Sequence, residues 1–272
     1  MNYKKYIVIG ISFFCASHAF GYLPGMNLGF TNILDGGPAR PYPGLYWQEY
    51  AQYYTTARFK NGEGNSLGGI PSPRFRALTA ITQFTYQFNQ QLPLKGMPGF
   101  SIGFPTVLYS KVDKNPLGIE SSGSGVGNLS FGLYTQWSAI QRKGRPFFIH
   151  RLQFDLWIPM GKNKLPCKQI NPSNTFFSCG SYWAATLFIS HKWNVSWRLH
   201  YLWNAKNEKI DTQAGDAMYC NYSLGYEAHP HLFIAVVGYA LGQLHYNRAF
   251  GRPIKNVYLQ QARDLLIFIQ KI

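Results

Sequence analysis

The sequence has little acidic charge, few cysteines and, after its first residues, no long apolar run. Only 14% of the residues are charged, and 26 basic side chains outnumber 11 acidic ones, for a net charge of +15. Typical soluble domains have about a quarter of their residues charged, so this composition disfavours a cytosolic enzyme. No apolar run beyond the amino-terminal segment is long enough for a transmembrane helix. The four cysteines have no metal-binding spacing, and we expect neither a metal site nor a cofactor.

The first 19 residues have the pattern of a secretory signal peptide. Lys4 and Lys5 form a positive start, residues 6–16 an apolar centre, and 17–19 a small-x-small cleavage site. The alternative is a short membrane anchor, but the apolar run is too short to span a bilayer. We therefore expect cleavage near Ala19 and export into the envelope of a Gram-negative bacterium. Export makes nucleic acid a poor candidate partner for this basic chain.

Residues 193–204 alternate between apolar and polar side chains. Six apolar residues, three of them tryptophans, occupy every second position from Trp193 to Trp203, and Leu202 is the one apolar residue between them. Successive side chains of a strand face opposite sides, and twelve residues suffice for a tilted strand to cross a bilayer. Aromatic residues at both ends of the apolar face fit the two interfacial girdles of a barrel. The segment is therefore predicted to be a transmembrane β-strand.

Similar alternation recurs along the chain and predicts nine strands. They cover 45–54, 76–89, 99–109, 127–138, 147–159, 181–190, 193–204, 218–228 and 232–245. Long and short intervals alternate between them, as expected for long extracellular loops and short periplasmic turns. We predict an all-β, transmembrane, antiparallel up-and-down β-barrel of about ten strands, and up to twelve, over residues 45–272.

The two ends of the predicted barrel leave questions open. A tenth strand has to come from 246–272, although the apolar residues between Val257 and Ile269 are spaced as in a helix. Residues 20–44 are rich in glycine and proline with little periodicity. They are either a periplasmic lead-in or a plug folded into the barrel.

Polar residues on the membrane-spanning strands are expected to face the lumen, because a charge on the lipid face costs about 2–4 kcal/mol at the midplane. The lumen-facing candidates are Glu49, Gln83, Arg151, Gln153, Asp155, Ser196, Arg198, His200 and Glu227. Two interpretations stay open. These residues line a permeation path and set its selectivity, or they form an internal salt-bridge network, with Arg151 or Arg198 paired to Asp155, that fills a narrow barrel.

Three further patterns bear on chemistry. Cys167 and Cys179 share a predicted loop in an oxidising compartment, so a disulfide is expected between them. The acidic residues of loop 205–217 could hold Ca²⁺, but interleaved lysines favour an ordinary solvated loop. His150 and His200 lie on strands without a matched nucleophile. We therefore predict that the protein is not an enzyme, with a lipid-acting barrel enzyme as a remote alternative.

Five stretches, in this order, resemble one known family. They are GGPARPYPGLYWQEYAQYY (36–54), GVGNLSFGLY (125–134), LQFDLWIPMGK (152–162), SHKWNVSWRLHYLWNAKNEKIDTQAGD (190–216) and VVGYALGQL (236–244). Together they resemble the MetA-pathway-of-phenol-degradation-like outer-membrane proteins. Asn128 stands where we expect an acidic residue, and the similarity fades after Leu244, which suggests a truncated or altered carboxyl end.

The resemblance implies an outer-membrane barrel that transports hydrophobic or aromatic compounds, and it implies no catalytic residues. We expect passive movement of small solutes of that class through the lumen. The expected partners are outer-membrane lipid, lipopolysaccharide and those solutes. The first alternative is a non-conducting structural or surface-interaction barrel whose long loops make the contacts. The sequence does not predict an oligomeric state.

Overall fold

The chain folds into a single curled antiparallel sheet. The computed structural model describes residues 7–11, 33–38, 41–56, 59–60, 66–67, 74–113, 120–161, 169–229, 232–254 and 259–271. The long strands, with one short strand ahead of them, are β1 (Ile7–Ile11), β2 (Gly44–Thr56), β3 (Arg74–Gln87), β4 (Gly96–Asp113), β5 (Leu129–Trp137), β6 (Arg145–Ile158), β7 (Ser178–Phe188), β8 (Trp193–Asn204), β9 (Ala217–His229), β10 (Leu232–Gln243) and β11 (Leu259–Lys271).

Short strands and one 3-10 turn lie in the connections between these strands. They are the strands Phe59–Lys60, Ser66–Leu67, Glu120–Ser121, Gly125–Val126, Ile140–Arg142, Gln169–Ile170, Thr212–Gln213, Asn247–Ala249 and Arg252–Ile254, and the 3-10 turn Pro93–Lys95. Among the residues that the structure describes, no helix is long and apolar enough to cross a membrane.

From β2 to β11 each strand pairs with the strands before and after it in the sequence. The all-β, antiparallel, up-and-down prediction is therefore confirmed, and each of the nine predicted strands has its counterpart in β2–β10. The connections also alternate as predicted: 88–95, 138–144, 189–192 and 230–231 are short, whereas 57–73, 114–128, 159–177, 205–216 and 244–258 are long.

The carboxyl-terminal segment adds the tenth strand. β11 pairs in antiparallel register with β10, from Leu232 opposite Ile269 to Gly242 opposite Leu259. The helical spacing read from 257–269 was therefore misleading, because pairing with β10 overrides local periodicity. β1 pairs with the far side of β11 and lies inside the predicted signal peptide. Within the described residues, no register joins β2 to β1 or β11.

Pro105 lies inside β4, a position where a proline removes a ladder donor. The ladder between β4 and β5 ends at Gly103 opposite Ser130, so Pro105 lies beyond it. Its carbonyl accepts a hydrogen bond from the Gly127 backbone N–H at 2.8 Å. The proline therefore marks the point where β4 exchanges β5 for the short strand Gly125–Val126 as its neighbour.

The two faces of the sheet have opposite chemistry. On β8, the side chains from Trp193 to Trp203 at alternate positions are partly or fully exposed, and the intervening positions are buried or half-buried. The same pattern holds across neighbouring strands: Leu133, Leu152 and Val236 are exposed, whereas large polar side chains on the other face are buried. A soluble domain places polar groups outside, so the sheet is inverted as a lipid-facing wall requires. We call the concave polar face the lumen face.

Candidate functional site: the lumen face of the sheet

Most of the predicted lumen-facing residues share the lumen face. Ser196, Arg198 and His200 occupy alternate positions of β8, and Arg151, Gln153 and Asp155 do the same on β6. Gln83 lies in register with Gln48 on β2, on the face of the buried Thr85 and Gln87. Glu227 follows the buried Asn221 and Ser223 at the end of β9 on the same face.

Glu49 differs from its prediction. The register places it opposite Thr82, whose hydroxyl donates to Glu49 Oε1 at 3.1 Å. Its neighbours at alternate positions, Leu45 and Trp47, are exposed apolar residues that lie opposite Tyr86 and Phe84. Glu49 therefore lies on the outer face of β2 rather than on the lumen face.

A hydrogen-bonded network surrounds the predicted residues of β6. Arg151 donates to Gln153 Oε1, and the Gln153 amide in turn donates to Asp155 Oδ1. The Tyr182 hydroxyl also donates to Gln153 Oε1, at 2.6 Å. The Arg151 guanidinium lies 3.6 Å from the centre of the Tyr134 ring, within cation–π distance. Gln153 thus links Arg151 to Asp155, in place of the direct Arg151–Asp155 pair that the sequence allowed.

The acidic partner of Arg198 comes from outside the strands. Arg198 Nη2 donates to Asp35 Oδ1 at 2.7 Å, and the Asp35 side chain is only 2% exposed. The guanidinium also lies 4.7 Å from the centre of the Tyr182 ring. His200 stacks on Tyr219 at 4.0 Å between ring centres. Sequence reasoning missed Asp35, although it is the one acidic residue in the segment 20–44.

Residues 33–38 lie against the lumen face, and we call them the inner segment. The Gly36 N–H donates to Thr186 Oγ1 at 3.0 Å, and Gln136 Nε2 donates to the Gly36 carbonyl at 2.8 Å. Ile33 packs against the buried Ala235 and Val237 of β10. Together with the Asp35–Arg198 pair, these contacts join the inner segment to β5, β7, β8 and β10.

Gly36 fits without space for a side chain. A Cβ atom at this position would lie 2.5 Å from the Ile149 carbonyl oxygen and 2.6 Å from the Thr186 backbone nitrogen. Both are main-chain atoms of paired strands and cannot move aside cheaply. The requirement for glycine comes from close approach to the wall of the sheet.

An apolar cluster follows the polar network towards the long loops. Leu202, the one apolar exception on the polar face of β8, is fully buried with Ala217, Tyr219, Leu241 and the loop residue Ala214. The half-buried side chain of Trp157 packs against the same cluster. The lumen face is thus charged near the inner segment, and this apolar cluster lies nearer the loops.

The structure describes Asn128 and one of the two cysteines that the sequence singles out in the long loops. Asn128 Oδ1 accepts from the Ser173 hydroxyl at 2.7 Å and from the Asn174 N–H at 2.9 Å, so this amide ties loop 114–128 to loop 159–177. Cys167 lies outside the described residues, and the Cys167–Cys179 disulfide stays a prediction. Cys179 has no disulfide partner among the residues that the structure describes.

The acidic residues of loop 205–216 have protein partners. Lys206 Nζ lies 2.6 Å from Asp211 and 3.5 Å from Glu208, and the hydrogen bond to Asp211 raises the pKa of Lys206. Asp216 accepts from the Tyr201 hydroxyl at 2.9 Å. The described part of the chain contains no cluster of three potential metal ligands. These contacts are those of an ordinary surface loop.

His150 and His200 lie on opposite faces of the sheet. His150 stacks against Trp137 on the outer face, with 4.4 Å between ring centres. His200 lies on the lumen face between Tyr182 and Tyr219. Ser196, four residues before His200 on the same face, shares a hydrogen bond with Thr186 at 2.9 Å.

Comparisons with known proteins agree with this geometry. No curated protein matches the chain. Among solved structures, the chain is similar to the COG4313 outer membrane channel from Pseudomonas putida F1, with 13% identity and a TM-score of 0.66 over 85% of this chain and 96% of that one. At this identity the likeness shows the fold alone. The family described as "MetA-pathway of phenol degradation" matches residues 56–258, a range that extends past Leu244. The chain belongs to this family.

Proposed function

We propose that the protein is a passive outer-membrane channel for small hydrophobic or aromatic solutes, and that the inner segment closes it at rest. The observation that carries the proposal is the inverted sheet: an apolar, aromatic outer face surrounds a polar face with buried charges. Such a wall suits lipid outside and a solute path inside. The similar channel fold and the family membership support the same function.

The direction of the strands gives the proposed orientation of the protein in the membrane. With the amino end of β2 in the periplasm, the short connections are periplasmic and the long loops are extracellular, as in other barrels of this kind. The predicted signal peptide supports export to a bacterial outer membrane. The outer face then contacts lipid, and basic residues beside the long loops contact lipopolysaccharide phosphate.

The inner segment supplies the proposed closed state. Its contacts with Thr186, Gln136 and Arg198 hold it across the face that a solute has to pass. The polar residues predicted to face the lumen therefore fall into two groups. Arg198 belongs to a charge pair with the inner segment, whereas Arg151, Gln153 and Asp155 form a network within the wall. Both lie on the proposed path.

A Gly36→Ala variant tests this function in planar bilayers. The added methyl group meets main-chain atoms of β6 and β7, so it should expel the inner segment and leave the wall intact. We expect larger or more frequent stepwise currents than in the unmodified protein. Gly242→Ala is the matched control, because a Cβ at Gly242 meets nothing within 4 Å.

The filled lumen favours one alternative, a non-conducting structural barrel. The buried network of β6 and the apolar cluster around Leu202 together leave the lumen face densely occupied. If well-folded Gly36→Ala protein gives no stepwise current, the channel proposal fails and the structural barrel takes its place. We assign no catalytic role, because the contacts of His150 and His200 are with aromatic rings.

A further inference from the structure

The Asp35–Arg198 pair is a carboxylate held by a buried cation. Asp35 reaches Arg198 from the inner segment and not from a neighbouring strand, and the two side chains are 2% and 14% exposed. Only one carboxylate oxygen is used: Asp35 Oδ2 and Arg198 Nε have no hydrogen-bond partner among the described residues. The guanidinium therefore keeps a donor for a differently placed carboxylate.

Aromatic side chains lie beside this cation. Arg198 lies 4.7 Å from the Tyr182 ring centre, and His200, two positions further along β8, lies 5.1 Å from Tyr182 and 4.0 Å from Tyr219. The Tyr182 ring offers apolar surface beside the positive charge, and the stacked rings of His200 and Tyr219 extend this surface along the lumen face. This combination matches a molecule with an apolar or aromatic body and one carboxylate.

The balance of charges in the lumen indicates whether a neutral or an anionic molecule would replace Asp35 beside Arg198. Among the described residues, the network on the lumen face contains two arginines, Arg151 and Arg198, and two carboxylates near them, Asp155 and Asp35 of the inner segment. If the inner segment leaves, Arg198 loses its partner, and a buried cation without a partner is costly. A neutral solute leaves that cost in place, whereas a carboxylate replaces Asp35 charge for charge.

We propose that Arg198 is the anion-binding position of the lumen, that Asp35 occupies it at rest, and that aromatic or aliphatic carboxylates compete with Asp35 for it. This inference rests on the proposed function, since it assigns the substrate class and the opening signal of the same channel. A carboxylate that enters the lumen binds Arg198, displaces Asp35 and so favours release of the inner segment.

The test compares two probes that differ in charge and little in size. Binding of para-fluorobenzoate and para-fluorobenzamide to detergent-refolded protein is followed by fluorine NMR at fixed ionic strength. The variants are Asp35→Ala, which removes the competing carboxylate, and Gly36→Ala, which expels the inner segment while both charges of the pair remain. Gly242→Ala is the control, and a boil-sensitive compact band on a cold gel verifies the fold of each variant.

Asp35→Ala and Gly36→Ala should each bind para-fluorobenzoate at least about tenfold more tightly than the unmodified protein. A factor of about ten corresponds to a resting protein in which about one molecule in ten has the site vacant, and a rarer vacancy gives a larger factor. The affinity for para-fluorobenzamide should stay unchanged. Adding Arg198→Gln to Asp35→Ala should abolish the gain in para-fluorobenzoate affinity. If the double variant does not fold, the difference between the two probes in the single variants tests the carboxylate site.

The outcomes separate this inference from the proposed function. If Gly36→Ala increases conductance but both probes gain affinity equally, the channel stands and the carboxylate site is overturned. If benzoate binding depends on Arg198 while no variant conducts, the site stands and the channel fails. If neither probe responds to Asp35→Ala or Gly36→Ala in folded protein, Arg198 is not the anion-binding position.

Discussion

Placing an arginine at Leu199 tests which face of the sheet meets lipid. Leu199 lies near the middle of β8 on the apolar face and is 40% exposed. At about 3.3 Å per residue and a tilt of about 40°, twelve residues span about 30 Å of the bilayer normal, so Leu199 lies close to the midplane. Leu199→Arg should therefore lower the free energy of unfolding by about 2–4 kcal/mol.

Ile189→Arg is the matched control for depth. Ile189 is an apolar residue in the turn 189–192 and is 61% exposed, so the same charge there should cost only about 0–1 kcal/mol. Unfolding by denaturant is measured in phospholipid vesicles through the fluorescence of the seven tryptophans. Equal costs at the two positions would refute the assignment of this face to the bilayer.

Two further predictions concern the ends of the sheet and its interior. A chain that ends at Tyr246 lacks β11, so the edge of β10 is unpaired. This truncated chain should lose the compact, boil-sensitive band on a cold gel. A compact band from the truncated chain would contradict the requirement for a tenth strand. Leu202→Ala should lower the free energy of unfolding by roughly 2–5 kcal/mol, because Leu202 is fully buried in the apolar cluster. Leu199→Ala, on the outer face of the same strand, should cost less, and equal costs would contradict the packing of Leu202 inside the lumen.

Most of the strands could be predicted because they have one strongly apolar face. β8 begins and ends at the predicted residues, since its tryptophans and polar side chains alternate with one exception. β2 is different: it has aromatic residues at both parities, Tyr46 and Tyr50 on one face and Trp47 on the other. On β2 only the charge of Glu49 indicated which face meets the lumen, and this prediction was wrong because Glu49 lies on the outer face.

Long-range contacts set the features that the sequence did not reveal. Asp35 meets Arg198 across 163 positions, and no local pattern in the glycine-rich segment predicts such a pairing. β11 is a strand because β10 offers a complementary edge, although its own apolar spacing resembles a helix. In both cases the deciding partner lies outside the sequence window that a periodicity argument can use.

The energetics of a buried ion pair suit Asp35 to exchange rather than to permanent closure. Removing two charges from water costs nearly as much as their attraction returns, so the Arg198–Asp35 pair contributes little compared with two apolar side chains at the same positions. Losing one partner without replacement is different, since it leaves a buried cation at a cost of about 3–5 kcal/mol. A second carboxylate avoids that cost, and a neutral molecule does not. The two neutral hydrogen bonds of Gly36 contribute about 1 kcal/mol each, small enough for a bound ligand to overcome. The same pair therefore keeps the inner segment docked when no anion is present and makes its release selective for carboxylates.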